Sequence, residues 1–381
     1  MRRFRLPPAS IDALYELITQ PEYKEKYFKG FGEPDAAGRP GADVKLLLLS
    51  FLRYVGRNVT YDCLSEATFI SEATHKRFFT AFVEFGAEVL YKTHELDRQP
   101  KTAADIEKLL ELTRSPGFPG MIGSADCMHT YLLNCSAYQY NYCKNGKYDY
   151  ASVTFQVTVT PDLRFLSVTR YFPGTTSDQA IRHYDTFLSK VANDPLYTEH
   201  VWKRYEQSAD GVIVVDEKGV YMLGDKGLTG SFTMLIPFSV SSMAADAKWT
   251  NMHESLRKAV ERAFGILQKR FPVLKINRMH FNMQHDVFTK LLWTLVALHN
   301  WLHRINGMDQ GWEESWSSEV LKALDEDLPN PAYNDDVVLQ DGPTYGEAVD
   351  DHTHNERRSK LVNHFWIASQ RNEVAWMQQQ I

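Results

Sequence analysis

The chain has 381 residues, 44% of them hydrophobic and 13% aromatic, which supplies ample material for a buried core and excludes global disorder. No stretch approaches the ~20 consecutive apolar residues of a membrane span, and the N-terminal Met1-Arg2-Arg3-Phe4-Arg5-Leu6 has no signal-peptide core, so no membrane partner is expected. The net charge of -6 hides an asymmetry: between Met308 and Glu356 fourteen acids face the single base Lys322, a net of -13, so the rest of the chain carries about +7 and suits a polyanionic partner.

Residues 1–115 read as helical. Asp43 is placed to cap a helix through Val55, closed by Gly56, and Thr60 to Ile70 forms a short second helix. Ser71 caps a third, whose Phe78, Phe82, Phe85 and Val89 fall on one face at helical spacing. Two short helices and a longer one, with Lys76 and Arg77 on its first exposed turns, fit a DNA-contacting helix-turn-helix or an ordinary three-helix bundle.

The breaker cluster Ser115-Pro-Gly-Phe-Pro-Gly120 marks a boundary, and residues 116–306 mix strands with helices. Met121 to Asn134 is a strand containing Asp126. Ser152 to Thr160 alternates fully, with Val153, Phe155, Val157 and Val159 on one face and Ser152, Thr154, Gln156 and Thr158 on the other. Phe165 to Phe172 returns as its partner, Ser177-Asp178 opens a helix through Leu188, and Gly211 to Val215 adds a short strand. Val220 to Leu223 is a strand with Asp225 just past its end, and helices follow over 251–270 and 286–304. Strand with Asp, hairpin, helix, strand with Asp, then helix with Glu261 is the element order of a ribonuclease H-like α/β fold. Residues 307–356 read as an acidic connector and 357–381 as a helical segment whose Leu361, Phe365, Trp366 and Trp376 pack back on the body.

The four cysteines, Cys63, Cys127, Cys135 and Cys143, are few for this length and point to a reducing compartment. Three of them recur every eight residues near His129, a spacing open to zinc but unsupported by any Cys-x-x-Cys pair.

Asp126, Asp225 and Glu261 are the candidate catalytic residues and metal ligands. Carboxylates held on a strand, a strand end and a helix can bind hard divalent cations, Mg²⁺ or Mn²⁺. Two such ions roughly 4 Å apart serve an in-line displacement at phosphorus, with Asp126 shared between them. Leu256, Val260, Phe264 and Leu267 form the buried stripe of the helix bearing Glu261. From Arg257 to Arg278 seven bases accompany Glu261 as the one acid. Lys226, Arg257, Lys258, Arg262, Lys269 and Arg270 are expected to contact phosphate beside the acids, with Lys76 and Arg77 as a second DNA contact.

Gly123-Ser-Ala-Asp-Cys-Met-His129, Asn134-Cys135, Arg257-Lys-Ala-Val-Glu-Arg-Ala-Phe-Gly-Ile-Leu-Gln268 and Leu298-His-Asn300 resemble the transposases of the PIF/Harbinger superfamily, in particular its Pong-like branch. The similarity runs from about Gly120 to Arg304. It implies a DDE endonuclease that cuts transposon ends and joins them to target DNA, with the family's first, second and third acids falling on Asp126, Asp225 and Glu261. It also implies a Myb/SANT-like accessory protein for end recognition, a homo-oligomer and a nuclear location. Asp178, in Pro173-Gly-Thr-Thr-Ser-Asp178, matches a family motif outside the triad and is read as a helix cap, with an active-site role as the alternative. His129 is read either as approaching the metal or DNA or as making a structural hydrogen bond. The chain departs from the family after Asp225, where Lys226-Gly-Leu-Thr229 replaces the usual Gly-Tyr-Pro, which affects substrate handling there. The second reading is a domesticated, non-cutting relative that acts as a DNA- or chromatin-associated interaction protein.

Overall fold

The computed structural model of the protein describes residues 4–95, 99–114, 116–144, 150–227, 230–240, 243–280, 286–305 and 351–374. Six helices lead the chain: α1 (Pro8–Ile18), α2 (Pro21–Tyr27), α3 (Val44–Arg57), α4 (Tyr61–Thr68), α5 (Glu72–Phe85) and α6 (Ala103–Arg114). Asp43, Thr60 and Ser71 accept the otherwise orphaned backbone N–H of Leu46, Cys63 and Thr74 at the starts of α3, α4 and α5. Gly56 does not close α3; the helix runs to Arg57 and ends on Asn58 in the left-handed conformation, φ 53°. Asn adopts that conformation more readily than most side chains. Beyond Phe85 the helical path of α5 widens into a π-type segment, Gly86–Glu95.

The sheet region follows with β1 (Met121–Asn134), α7 (Ala137–Cys143), β2 (Ser152–Val159), β3 (Phe165–Val168), β4 (Phe172–Pro173), α8 (Asp178–Arg182), α9 (Thr186–Asn193) and α10 (Pro195–Thr198). Then come β5 (Val201–Ser208), β6 (Gly211–Lys218), β7 (Tyr221–Leu223), β8 (Met234–Leu235), α11 (Ala244–Arg257), α12 (Ala259–Arg270), β9 (Ile276–His280), α13 (Val287–Ile305) and α14 (Asp351–Gln370). One mixed sheet runs β3-β2-β1-β7-β8, with β4 added to β2 and β9 to β1, while β5 and β6 form a separate hairpin. β1 pairs antiparallel with β2 and parallel with β7, so the architecture is mixed α/β.

Several elements differ from the sequence pattern for identifiable reasons. Every residue of β2 is buried, including the polar set Ser152, Thr154, Gln156 and Thr158. The strand lies inside the sheet with α8 packed against it, so its alternation separates an apolar face from a buried polar one. The helix expected from Ser177 to Leu188 is two helices, because Asp185 accepts from the N–H groups of Phe187 and Leu188 and starts a second one. Ser177 is the cap of the first, and Asp178 is its first helical residue. The helix over 251–270 is also two, joined at Lys258. Strand β5 carries no clean alternation and escapes the sequence pattern.

The breaker cluster at 115–120 marks the change from helices to strands, yet it does not separate two cores. Phe78, Phe82, Phe155, Val157, Val260, Leu267 and Leu295 belong to one apolar cluster. A helix with an apolar stripe must bury it, and here α5 buries its stripe partly against α13. A second cluster on the other side joins Ile122, Ala125, Tyr221, Trp249 and Leu256 to Leu361 and Phe365 of α14. Residues 306–350, most of the predicted acidic connector, lie outside the described residues, as does Trp376. α14 starts at Asp351, ahead of the expected Arg357. Its Leu361 and Phe365 pack inward as anticipated, while Trp366 is half-buried beneath the ammonium of Lys248, 4.9 Å from the ring centre. Arg357 of the same helix is buried.

Candidate active site

Asp126 lies midway along β1, opposite Val157 of β2. Ser124 pairs with Leu223 at the end of β7, so the chain leaving β7 delivers Asp225 beside Asp126. Glu261 lies in the first turn of α12, and Val260, Ala263 and Leu267 of that helix are buried in the apolar cluster that includes Val157. Rigid elements thus carry two of the acids, and a short exit from a strand carries the third.

The acids meet at one side chain. Nη1 of Arg257 lies 3.3 Å from Asp126 Oδ2 and 3.0 Å from Glu261 Oε1, while Nη2 lies 3.8 Å from Asp225 Oδ1. Two carboxylates on the same nitrogen are separated by no more than the sum of those distances. Nε donates to Glu254 Oε2 at 3.1 Å. Arg257 is the last residue of α11, and its side chain is only 10% exposed, against 25% for Asp126, 48% for Asp225 and 47% for Glu261.

Burial pushes the Asp126 carboxyl up to about 6. The Cys127 N–H, donating to Oδ1 at 2.7 Å, and the Arg257 charge oppose that rise, while Asp225 and Glu261 add to it. Burial acts against the Arg257 charge, but the surrounding carboxylates outweigh it and raise its pKa. Among the described residues no group of three or more His, Cys, Asp or Glu side chains is placed to hold a metal ion, and here a guanidinium lies among the acids. The donor set is nevertheless all carboxylate oxygen, the chemistry that hard divalent cations take.

Glu254 was missed in the sequence. It stands one turn before Arg257 and two before Glu261, spacings that put all three on neighbouring parts of one helical face, so the signal was available. His129 is three residues from Asp126 on a strand and therefore faces the opposite side of the sheet. Its Nδ1 lies 2.9 Å from Thr154 Oγ1, the structural hydrogen bond of the two sequence readings. Cys127 shares that far face. Its thiol donates to Gln156 Oε1 at 3.4 Å, and burial with the nearby Asp178 carboxylate holds it protonated. All four cysteines are free, and no zinc site forms among the described residues.

The bases divide into two groups. Lys226, Lys258 and Lys269 are exposed and Arg262 is half-buried. Arg257 and Arg270, both expected to face phosphate, turn to protein partners instead. Arg270 follows Ala263 and Leu267 along the buried side of α12, and its Nη1 lies 3.1 Å from Nδ1 of the buried His299. Lys76 is paired with Glu72 at 2.8 Å, and Arg77 sits over the ring of Phe31. After Asp225, Lys226-Gly227 is exposed, and the Gly227 carbonyl accepts from Gln179 Nε2 at 3.0 Å, tying the altered loop to α8. Leu228 and Thr229 lie outside the described residues.

The plant transposon protein family matches residues 94–307, more than half of the chain, and the match encloses β1, β7, α11 and α12. The chain belongs to the plant transposon protein family. The resemblance to Harbinger transposases, carried by residues 120–304, falls within that span. A mouse (Mus musculus) relative named "Putative nuclease HARBI1" is 22% identical over 306 residues, covering 79% of this chain and 74% of its own length. "Protein ALP1-like" of Arabidopsis thaliana is 23% identical over 252 residues, covering 65% of this chain and 58% of its own length. No solved structure matches the chain.

Proposed function

We propose that this member of a transposon-derived family is a divalent-metal-dependent DNA endonuclease and strand-transfer enzyme of the DDE type, with Asp126, Asp225 and Glu261 as the metal-holding acids. The observation that carries this reading is the meeting of those three carboxylates, from β1, the exit of β7 and α12, at a single guanidinium. The sheet supports it: three antiparallel strands, β3-β2-β1, extended by β7 and β8 parallel to β1, agree with the ribonuclease H-like order read from the sequence. A relative with nuclease in its name supports the chemistry.

Bound Mg²⁺ or Mn²⁺ would supply an activated attacking oxygen and neutralise charge on the leaving oxygen. The chain's own residues provide the rest. Asp126, the least exposed of the three and anchored by the Cys127 N–H, is the acid held most firmly, whereas Asp225 and Glu261 are half exposed and open to the DNA side. Lys226, Lys258, Arg262 and Lys269 are the bases proposed to meet phosphates beside the acids. Transposon terminal repeats and target DNA are the proposed substrates, a Myb/SANT-like protein the partner for end recognition, a homo-oligomer the working form and the nucleus the location.

The test is strand cleavage on DNA bearing the element's own ends, with and without Mg²⁺. Glu261→Gln and Asp126→Asn should each remove several kcal/mol of transition-state stabilisation, roughly a thousandfold in rate. Wild-type cutting rates in Glu261→Gln would remove it from the triad. Binding of the ends without any cutting by the wild-type chain would select the domesticated reading.

A further inference from the structure

Arg257 ends α11 with its side chain only 10% exposed, a position that is costly unless its charge is matched. Four carboxylates surround it at 3.0–3.8 Å: Glu261, Glu254, Asp126 and Asp225. A buried guanidinium is stable only when its donors are matched, and here the match is made by the groups that the proposed reaction requires for metal. Four negative charges against one positive charge leave the cluster at about -3, so the acids remain attractive to dications. One dication would bring that to about -1 and a second to about +1. A phosphodiester entering the cleft would then neutralise the excess.

We infer that Arg257 is a displaceable counter-ion that makes full metal loading depend on bound DNA. This rests on the metal-dependent reading above and adds regulation to it. With Asp126, Glu261 and Asp225 holding cations, Nη1 and Nη2 of Arg257 would give up those acids while Nε kept Glu254, so the guanidinium would retain one partner. The break between α11 and α12 at Lys258 lies between Arg257 and Glu261 and allows the two ends of that ion pair to part. The consequence is a nuclease that holds its second cation weakly until phosphate arrives, which limits cutting away from a bound end.

The experiment is Mn²⁺ titration by calorimetry on the full chain, with and without a short duplex, for the wild type, Arg257→Gln and Arg257→Lys. The wild type should bind Mn²⁺ about tenfold more tightly with DNA than without it. Arg257→Gln should bind about tenfold more tightly than the wild type in the absence of DNA and lose most of the DNA dependence. Arg257→Lys keeps the charge but reaches fewer carboxylates, so it should fall between them, and it serves if the Gln variant fails to fold. Mn²⁺ binding by either variant that is weaker than or equal to the wild type, with the fold intact by circular dichroism, would overturn the inference. Asp126→Asn separates this from failure of the metal reading: undiminished Mn²⁺ binding in that variant would mean the acids are not the ligands.

Discussion

Two buried arginines lie at opposite kinds of site. Arg257 is ringed by carboxylates, whereas Arg357 of α14 is held by backbone carbonyls and aromatic faces. Arg357 donates through Nη1 to Phe232 O at 2.8 Å and through Nη2 to Gly219 O at 2.7 Å and to Lys218 O, and its guanidinium lies 3.4 Å from the centre of the Phe232 ring. Burial lowers its pKa to about 10, while that of Arg257 is raised because its carboxylates outweigh burial. Carbonyls and rings are fixed dipoles, so Arg357 clamps α14 to the turn between β6 and β7. Carboxylates exchange partners readily, so the same side chain at 257 suits a site that changes state. The difference lies in the partners, not in the degree of burial.

That contrast can be broken most directly at the clamp. Arg357→Met removes the guanidinium donor from three carbonyls, of which Gly219 O keeps the indole N–H of Trp202, and should cost about 3–5 kcal/mol, read as a lower midpoint in urea unfolding. Arg357→Lys should recover only part of it, because a point charge cannot span the carbonyls and stack on Phe232. Full recovery with Lys would show that charge alone, without the planar fork, holds α14.

A buried acid outside the cleft sharpens the same point about partners. Burial pushes Asp185 up to about 6, and the N–H groups of Leu188 and Phe187 and the Ser167 hydroxyl only partly offset it. Its Oδ2 has no hydrogen-bond partner. A folded pKa above the unfolded value of about 3.9 adds stability below that value, and the gain is lost as pH rises through 6. Asp185→Asn keeps an acceptor for the α9 cap and removes the ionisation. It should therefore gain about 2–3 kcal/mol relative to the wild type at pH 7.5 and little at pH 4, measured by thermal unfolding across that range. An advantage independent of pH would show that ionisation of Asp185 is not its source.

The smallest expected effect lies at the surface. Lys76 is engaged with Glu72 and Arg77 with Phe31, exposed pairings worth at most about 1 kcal/mol each. Replacing both by Ala should change folding stability little. If α5 contacts DNA, the salt dependence of binding should become shallower by about two units, one for each phosphate that a side chain no longer reaches. An unchanged slope would leave the N-terminal helices as scaffold, consistent with the core they share with the sheet.

Local rules recovered much of this chain. The caps at Asp43, Thr60 and Ser71, the stripe of α5 and the strand bearing Asp126 follow from side-chain chemistry at short range, which acts whatever the rest of the fold does. The three acids stood out because each sits on or beside a regular element, and the motif strings around them pointed to the family. Long-range packing was less legible. Nothing in the spacing of Ser152, Thr154, Gln156 and Thr158 reveals that their face is buried, since alternation reports that two faces differ and not which is wet.

By itself the sequence determined the starts of α3, α4, α5, β1, β2 and β3, and the motif strings that resemble a transposon family nominated Asp126, Asp225 and Glu261. Only the tertiary structure decided that α5 and the sheet share one core, that Arg270 faces His299 and that Arg357 lies inside. It also decided that Arg257 gathers four carboxylates. Hydrogen-bond caps and side-chain periodicity are local along the chain. A guanidinium's partners are set by which distant elements pack around it, and several chain placements satisfy the same local pattern with different partners.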